Sequence, residues 1–214
     1  MPFLSMKKIY ERNFFRKMDA LFWLIIDIVA VFVPFFSRLV YDEWLRMEDC
    51  VKKEIVASKI NKHSKVLIVG CGPFPSTAIT IARETGAKIV AIDNKKLAVI
   101  LARRYIAKLG LKTVVICCGD GKIFPAKDFD VAIINSSVTP RRGVLCNVLR
   151  SSERNSIIVC REPKKLSDKP LKDEFFNFIL QYKDLAIKGV IDHPNNWRSY
   201  ILLKEKKTSE PIKV

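Results

Sequence analysis

From Lys65 onward, short apolar runs alternate with segments whose apolar residues recur at helical spacing. Five runs are rich in β-branched residues and predict strands: VLIV (66–69), KIVAI (88–92), TVVIC (113–117), DVAII (130–134) and SIIVC (156–160). Four segments predict helices: Thr77–Glu84, Lys95–Leu109, Arg142–Arg150 and Lys172–Tyr182. Because the strands are apolar almost without interruption, the pattern predicts a parallel sheet that helices cover on both faces.

The last part of the chain breaks this alternation. LAIKGVI (185–191) and WRSYILLKE (197–205) are joined by the turn DHPNN, and strands with so short a link must be antiparallel. The predicted fold is therefore α/β, a doubly wound and mostly parallel sheet that ends in an antiparallel hairpin. This Rossmann-like arrangement resembles the class I S-adenosylmethionine (SAM) dependent methyltransferases, whereas NAD-binding Rossmann domains lack the hairpin.

Two different segments precede this domain. Ala20–Phe36 is apolar and predicts a helix over 20–40, while Tyr41–Ile60 has a polar helical pattern. A bilayer span needs about 20 apolar residues, but Asp27 and Pro34 argue against a simple span. The segment either attaches the protein to a membrane or is buried, against the catalytic domain or in a homodimer. We expect an N-terminal helical region over 1–60, a transferase domain over 61–206 and a polar tail over 207–214.

The charge is strongly positive, with 38 Lys and Arg against 22 Asp and Glu, which gives +16 over 214 residues. Nucleic acid, an anionic membrane surface and a lysine-rich proteome are competing explanations. The lysines are dispersed and Gln181 is the single glutamine, which favours a heat-adapted cytoplasmic protein over a nucleic-acid partner. The six cysteines have no C-x-x-C spacing, which favours a reducing compartment and no metal site.

A glycine-rich turn follows the first predicted strand in VLIVGCGPFPSTAIT (66–80). Gly70 permits a tight turn, and Gly72 lets a ligand approach the backbone. Pro73 and Pro75 remove two N–H groups that a pyrophosphate would need, and Pro75 replaces the third small residue of a dinucleotide loop. The loop therefore suits SAM better than a dinucleotide, and Ser76 or Thr77 is expected to cap the helix that follows.

Acidic residues end the next two strands. Asp93 lies 21 positions after Gly72, where a carboxylate can accept both ribose hydroxyls, and Asp120 lies in CCGDG, where SAM transferases place an acid beside the adenine amino group. The candidate SAM-binding residues are Gly70, Cys71, Gly72, Pro73, Asp93, Asn94, Gly119, Asp120, Gly121 and Asn135.

The loop after the fourth strand is NSSVTPRR (135–142). Many transferases that act on base or amide nitrogens have Asn/Asp-Pro-Pro-aromatic here, and the absence of both prolines and of the aromatic residue disfavours nucleic-acid methylation. Arg141 and Arg142 either hold a substrate carboxylate or lie on the surface. His63 is expected in a linker and His193 in the hairpin turn, neither of them catalytic.

Several of these stretches together resemble the nicotianamine synthases, the archaeal ones in particular. GCGPFPSTAITIARETGAKIVAID (70–93) is similar to their G-x-G-P-x-P loop and following strand, IIVCRE (157–162) to their fifth strand, and HPNNWRSYILLKE (193–205) to their closing strand. The resemblance implies SAM as co-substrate and transfer of its 3-amino-3-carboxypropyl group to a small amine or amino acid. It also implies that a glutamate from the N-terminal helices acts as the base toward the attacking amine. The candidates are Glu43, Glu48 and Glu54.

Two alternatives stand beside this hypothesis. One is a SAM-dependent methyltransferase that acts on a small molecule or RNA. The other is a membrane-attached SAM-binding protein without catalysis.

Overall fold

The computed structural model describes residues 46–163, 174–182, 184–193 and 197–205, together with four single helical positions, 21, 25, 29 and 32. The predicted tail 207–214, and the predicted helix 20–40 apart from those four positions, lie outside the described residues. Among the residues described, no helix is both long and apolar enough to cross a membrane.

Helices and strands alternate as the hydrophobic pattern predicts. Within the continuous described ranges the elements in chain order are α1 (Met47–Ser58), β1 (Lys65–Val69), α2 (Ser76–Thr85), β2 (Lys88–Asp93), α3 (Lys96–Lys108), β3 (Val114–Cys118), β4 (Val131–Ile134), α4 (Arg141–Ser151), β5 (Ile157–Pro163), α5 (Glu174–Leu180), β6 (Leu185–Asp192) and β7 (Trp197–Lys204).

The seven strands form one sheet in the order β3-β2-β1-β4-β5-β7-β6. The first five strands are parallel, and β7 inserts antiparallel between β5 and β6. The doubly wound sheet with its antiparallel hairpin is thus confirmed. Strands β2 and β3 are added on one side of β1, and β4 and β5 are added on its other side. The strand order therefore switches between β1 and β4, and ligands of open α/β sheets bind at the carboxyl edge of such a switch point.

Strand β1 explains why both faces of the sheet are covered. Val66 and Ile68 belong to the core on one face, and Leu67 and Val69 belong to the core on the other. Successive side chains of a strand point to opposite faces, so an uninterrupted apolar strand needs helices on both sides. Helix α1 joins the first of these cores through Val51, and the loop that follows it contributes Ile60.

The last residue of β7 holds the end of a helix. Lys204 is buried, and its Nζ donates to the carbonyl of Leu149 and, at 2.5 Å, to that of Ser152. These carbonyls lie at the C-terminal end of α4, where they have no partner within the helix and where a cation is favourable. Lys204 therefore anchors α4 to the antiparallel part of the sheet.

Replacing Lys204 with methionine is expected to lower the free energy of unfolding by about 2–4 kcal/mol, because two buried carbonyls lose a charged donor. Urea denaturation measures the change. Lys188→Met, at an exposed position of β6, is the matched control and should stay within about 0.5 kcal/mol of the unsubstituted protein. Equal losses in the two variants would contradict this role for Lys204.

Candidate functional site

The glycine-rich loop lies at the carboxyl end of β1, beside the switch point of the sheet. Gly70 and Gly72 have φ angles of 81° and 66°, in the left-handed region that favours glycine. A Cβ on Gly70 would also lie 2.4 Å from Cγ2 of Val138, in the loop after β4. Both backbone strain and close packing against that loop therefore require glycine at position 70.

Asp93 fixes the glycine-rich loop from the side of β2. One carboxylate oxygen accepts the N–H of Gly72 at 2.9 Å, and the other accepts the N–H of Lys95 at 2.9 Å. Each oxygen has a second lone pair, and the side chain is only partly buried, so the carboxylate can still accept hydroxyl groups from a ligand. Asn94 is exposed next to it.

Asp120 lies in the neighbouring loop, after β3. Its carboxylate accepts the N–H of Lys122 at 2.9 Å and lies 3.3 Å from the Lys122 ammonium. The hydrogen bond from the Lys122 backbone, with the ammonium beside it, lowers the pKa of Asp120. The two loops are joined because Gly119 donates its N–H to the carbonyl of Asp93 at 3.0 Å.

Gly121 has a packing reason to be glycine. A Cβ there would lie 2.5 Å from Cγ1 of Val69 and 3.1 Å from Cγ1 of Val144. The amide of Asn147 donates to the carbonyl of Gly121 at 2.9 Å and to that of Phe124 at 2.8 Å. The loop after β3 therefore packs against β1 and α4, and Asp120 lies close to the carboxyl edge of the sheet.

The predicted helix cap is wrong. Pro75 occupies the N-cap of α2, and no side chain there caps the helix. The hydroxyl of Thr77 instead accepts Nη1 of Arg161 at 2.9 Å. A buried guanidinium needs acceptors for its N–H groups, and Thr77 is one of them.

Arg161, on β5, is the centre of a buried polar network. Its Nε and Nη2 donate to the two carboxylate oxygens of Glu54, on α1, at 2.9 and 2.6 Å. Its Nη1 donates to Oδ1 of Asn135 at 2.9 Å as well as to Thr77. Arg161 is 3% exposed and Glu54 0%, so the ion pair is fully removed from water.

Two further residues complete the network on the side of the hairpin. Ser199 donates its hydroxyl to Oε1 of Glu54 at 2.5 Å, and Nε2 of His193 lies 2.9 Å from the same hydroxyl oxygen. Since the single proton of Ser199 is directed at Glu54, His193 donates from Nε2 to the serine oxygen. Burial alone would raise the pKa of Glu54, but Arg161, His193 and Ser199 outweigh it and lower the pKa to about 2.

The three glutamates proposed from the sequence thus differ in their surroundings. Glu54 lies in the network, where Arg161 connects it to Asn135. Glu48 lies on the solvent side of α1, where Lys52 is bound at 2.5 Å and half of the glutamate side chain is exposed. Glu43 lies outside the described residues.

Asn135 connects the network to the glycine-rich loop. Its Nδ2 donates to the carbonyl of Gly70 at 2.7 Å, while its Oδ1 accepts Arg161. Its amide is therefore engaged within the protein on both sides.

Sequence analysis missed the roles of Arg161, His193 and Ser199. His193 does lie in the link between β6 and β7, as expected, but it is buried there and its Nε2 donates to Ser199. The signal available in the sequence was Arg161 itself, a charged residue that directly follows the apolar run SIIVC.

The two arginines considered for a substrate carboxylate have protein partners. Arg141 is paired with Glu162 and also donates to the carbonyl of Ser136. The guanidinium of Arg142 lies 5.1 Å from the ring centre of Phe178, in a cation–π contact. Within the described ranges, no group of His, Cys, Asp and Glu side chains has the arrangement of a metal site.

Comparisons with known proteins agree with this fold. A family model described as a methyltransferase domain matches residues 60–200. The L-histidine 2-aminobutanoyltransferase of Yersinia pestis is 29% identical over 111 residues, which are 52% of this chain and 42% of that protein. The chain thus spans less than half the length of this curated relative.

Solved structures align with a larger share of the chain than this relative does. A glutamate-to-glutamine variant of the nicotianamine synthase MtNAS, in complex with SAM, aligns with a TM-score of 0.71 at 17% identity, over 91% of this chain and 76% of that one. A SAM-dependent methyltransferase from Aquifex aeolicus aligns with a TM-score of 0.59 at 19% identity, over 76% of this chain and 94% of that one.

At these identities the solved structures establish the fold, whereas the family model covers well over half of the chain. The protein therefore belongs to the methyltransferase-domain family.

Proposed function

We propose that the enzyme transfers the 3-amino-3-carboxypropyl group of SAM to a small amine or amino acid. The observation that carries the proposal is helix α1, whose buried carboxylate, Glu54, is connected to Gly70 of the glycine-rich loop through Arg161 and Asn135. The similarity to MtNAS extends over 91% of the chain, whereas that to the Aquifex aeolicus methyltransferase extends over 76%. The histidine aminobutanoyltransferase adds a relative whose acceptor is an amino acid.

The proposed reaction differs from methylation only in the carbon that is attacked. The acceptor nitrogen attacks the carbon of the aminocarboxypropyl arm that is bonded to sulfur, the carbon–sulfur bond breaks, and sulfur leaves with the electron pair as neutral methylthioadenosine. The acceptor nitrogen then loses one proton. Since all three carbons on the sulfonium are electrophilic, the position of the acceptor decides which group moves.

We propose that the ten residues named from the sequence line the SAM site. Gly70, Gly72 and Pro73 form a wall with few hydrogen-bond donors, Asp93 accepts the ribose hydroxyls and Asp120 faces the adenine amino group. Both carboxylates also place negative charge near the cationic sulfonium, in a chain of formal charge +16. The other members are Cys71, Asn94, Gly119, Gly121 and Asn135.

Incubating the enzyme with SAM and L-histidine is expected to yield methylthioadenosine, detected by mass spectrometry together with an acceptor enlarged by the aminocarboxypropyl group. Other small amines and amino acids are tested in the same assay, because the acceptor of a relative need not be the acceptor here. S-adenosylhomocysteine as the product would contradict the proposal and indicate methyl transfer.

Asp93→Ala is expected to weaken SAM binding at least about tenfold, because the ribose loses its acceptor and Gly72 loses its partner. Isothermal titration calorimetry measures the Kd. Asp130→Ala is the matched control, since Asp130 also accepts a backbone N–H, that of Lys65 at 2.8 Å, but lies at the opposite edge of the sheet. Unchanged affinity in Asp93→Ala would refute the site assignment.

The base expected from the N-terminal helices is tested with Glu43→Gln, Glu48→Gln and Glu54→Gln. Glu48 is exposed and bound to Lys52, so its variant should form methylthioadenosine at the unsubstituted rate. We expect either Glu43→Gln or Glu54→Gln to lower kcat about a hundredfold or more.

Glu54→Gln also breaks a buried ion pair, which costs about 3–5 kcal/mol of stability. The melting temperature of each variant, measured alongside the rate, therefore separates a catalytic loss from a folding loss. Loss of activity in Glu48→Gln alone would contradict the assignment.

A further inference from the structure

The backbone of the glycine-rich loop is held from two sides at Gly70. Its N–H donates to the carbonyl of Ile92, on β2, at 2.8 Å. Its carbonyl accepts Nδ2 of Asn135, just after β4, at 2.7 Å. The first contact is a backbone bond that any sequence can make, but the second depends on which way the amide of Asn135 is turned.

Arg161 decides that orientation. A guanidinium can only donate, and its Nη1 lies 2.9 Å from the Asn135 amide, so the amide must present Oδ1 to it. The NH₂ group of the same amide is then directed at the carbonyl of Gly70. Turned the other way, the amide would place two donors against each other and two acceptors against each other.

Arg161 is in turn fixed by the N-terminal helix. Both carboxylate oxygens of Glu54 accept from its guanidinium, and Thr77 takes a further hydrogen of Nη1. Because Arg161 is only 3% exposed, its guanidinium group cannot turn toward water without breaking these hydrogen bonds. A continuous chain of contacts therefore runs from α1 through Arg161 and Asn135 to Gly70.

We propose that Arg161 is a positioning residue for SAM binding, which acts by holding the Asn135 amide in the orientation that fixes the Gly70 carbonyl. Through the pair with Glu54, the geometry of the loop depends on the docking of α1. The inference rests on the proposed SAM site at this loop, but not on which group of SAM is transferred.

Asn135→Asp tests the contact with almost no change in shape. The new carboxylate keeps, and strengthens, the bond to Arg161, but it places an oxygen instead of an NH₂ group against the Gly70 carbonyl. S-adenosylhomocysteine is the probe, because it lacks the sulfonium charge that an added carboxylate would attract. Its Kd, measured by calorimetry, is expected to rise about tenfold, with the melting temperature confirming a folded protein.

Asn61→Asp is the matched control, since Asn61 also donates its amide to a backbone carbonyl, that of Lys59 at 3.2 Å, in an exposed turn away from the loop. It should bind S-adenosylhomocysteine as the unsubstituted protein does. If Asn135→Asp also binds with unchanged Kd, the proposal is overturned.

Arg161→Lys tests whether the arginine acts through Asn135. Lysine keeps the charge for Glu54 but cannot reproduce the fork, so S-adenosylhomocysteine binding should weaken by a similar factor. In the Arg161→Lys/Asn135→Asp double variant the two losses should not add, and full additivity would overturn the coupling. If Arg161→Lys does not fold, Asn135→Asp still tests whether the contact between Asn135 and the Gly70 carbonyl supports binding.

Asp93→Ala distinguishes failure of this inference from failure of the site. If Asp93→Ala weakens S-adenosylhomocysteine binding and Asn135→Asp does not, the SAM site stands and the positioning role is refuted. If neither variant weakens it, the site itself is wrongly placed.

Discussion

The buried ion pair between Glu54 and Arg161 is the interaction on which the arrangement of the site depends. Removing two charges from water costs several kcal/mol for each, and their attraction offsets this only when the remaining donors and acceptors are also satisfied. That requirement explains why Thr77, Asn135 and Ser199 converge on the pair. Five elements or loops are therefore fixed relative to one another at the carboxyl edge of the sheet.

The same pair connects the glycine-rich loop, through Asn135, to a part of the chain outside the doubly wound sheet. Many transferases of this fold have the same strands and the same glycine-rich loop. The strands and the loop therefore cannot by themselves determine which carbon of SAM would react. Under the proposed reaction, elements that precede β1 would do so by contributing to where the acceptor lies relative to the sulfonium. In this protein α1 places the ionised carboxylate of Glu54 in the core. The side chains of Arg161 and Asn135 then connect Glu54 to the glycine-rich loop.

The loop itself combines stiffness with few donors. Gly70 is required by its φ angle and by the contact with Val138, and the prolines at 73 and 75 supply no N–H for a phosphate. The N–H groups of Gly70, Cys71 and Gly72 donate to Ile92 and Asp93, and the carbonyl of Gly70 accepts Asn135. Such a wall offers few donors to an anion, and the carboxylates beside it would favour the cationic sulfonium of the proposed co-substrate.

The sequence alone determined the strands, the helices, the fold class and the glycine-rich loop, because these follow from local periodicity and from residues with special backbone freedom. From β1 onward the described strand and helix boundaries lie within two residues of the predicted ones, except that β5 continues three residues further, to Pro163. Only the tertiary structure could bring Glu54 to Arg161 and Ser199, which are 107 and 145 residues away along the chain. Those contacts depend on β7 inserting between β5 and β6 and on the register of that pairing, and no local pattern specifies strand order or register over such a separation. For the same reason Thr77 was expected to cap its helix, whereas the guanidinium of Arg161, 84 residues away, takes its hydroxyl as an acceptor.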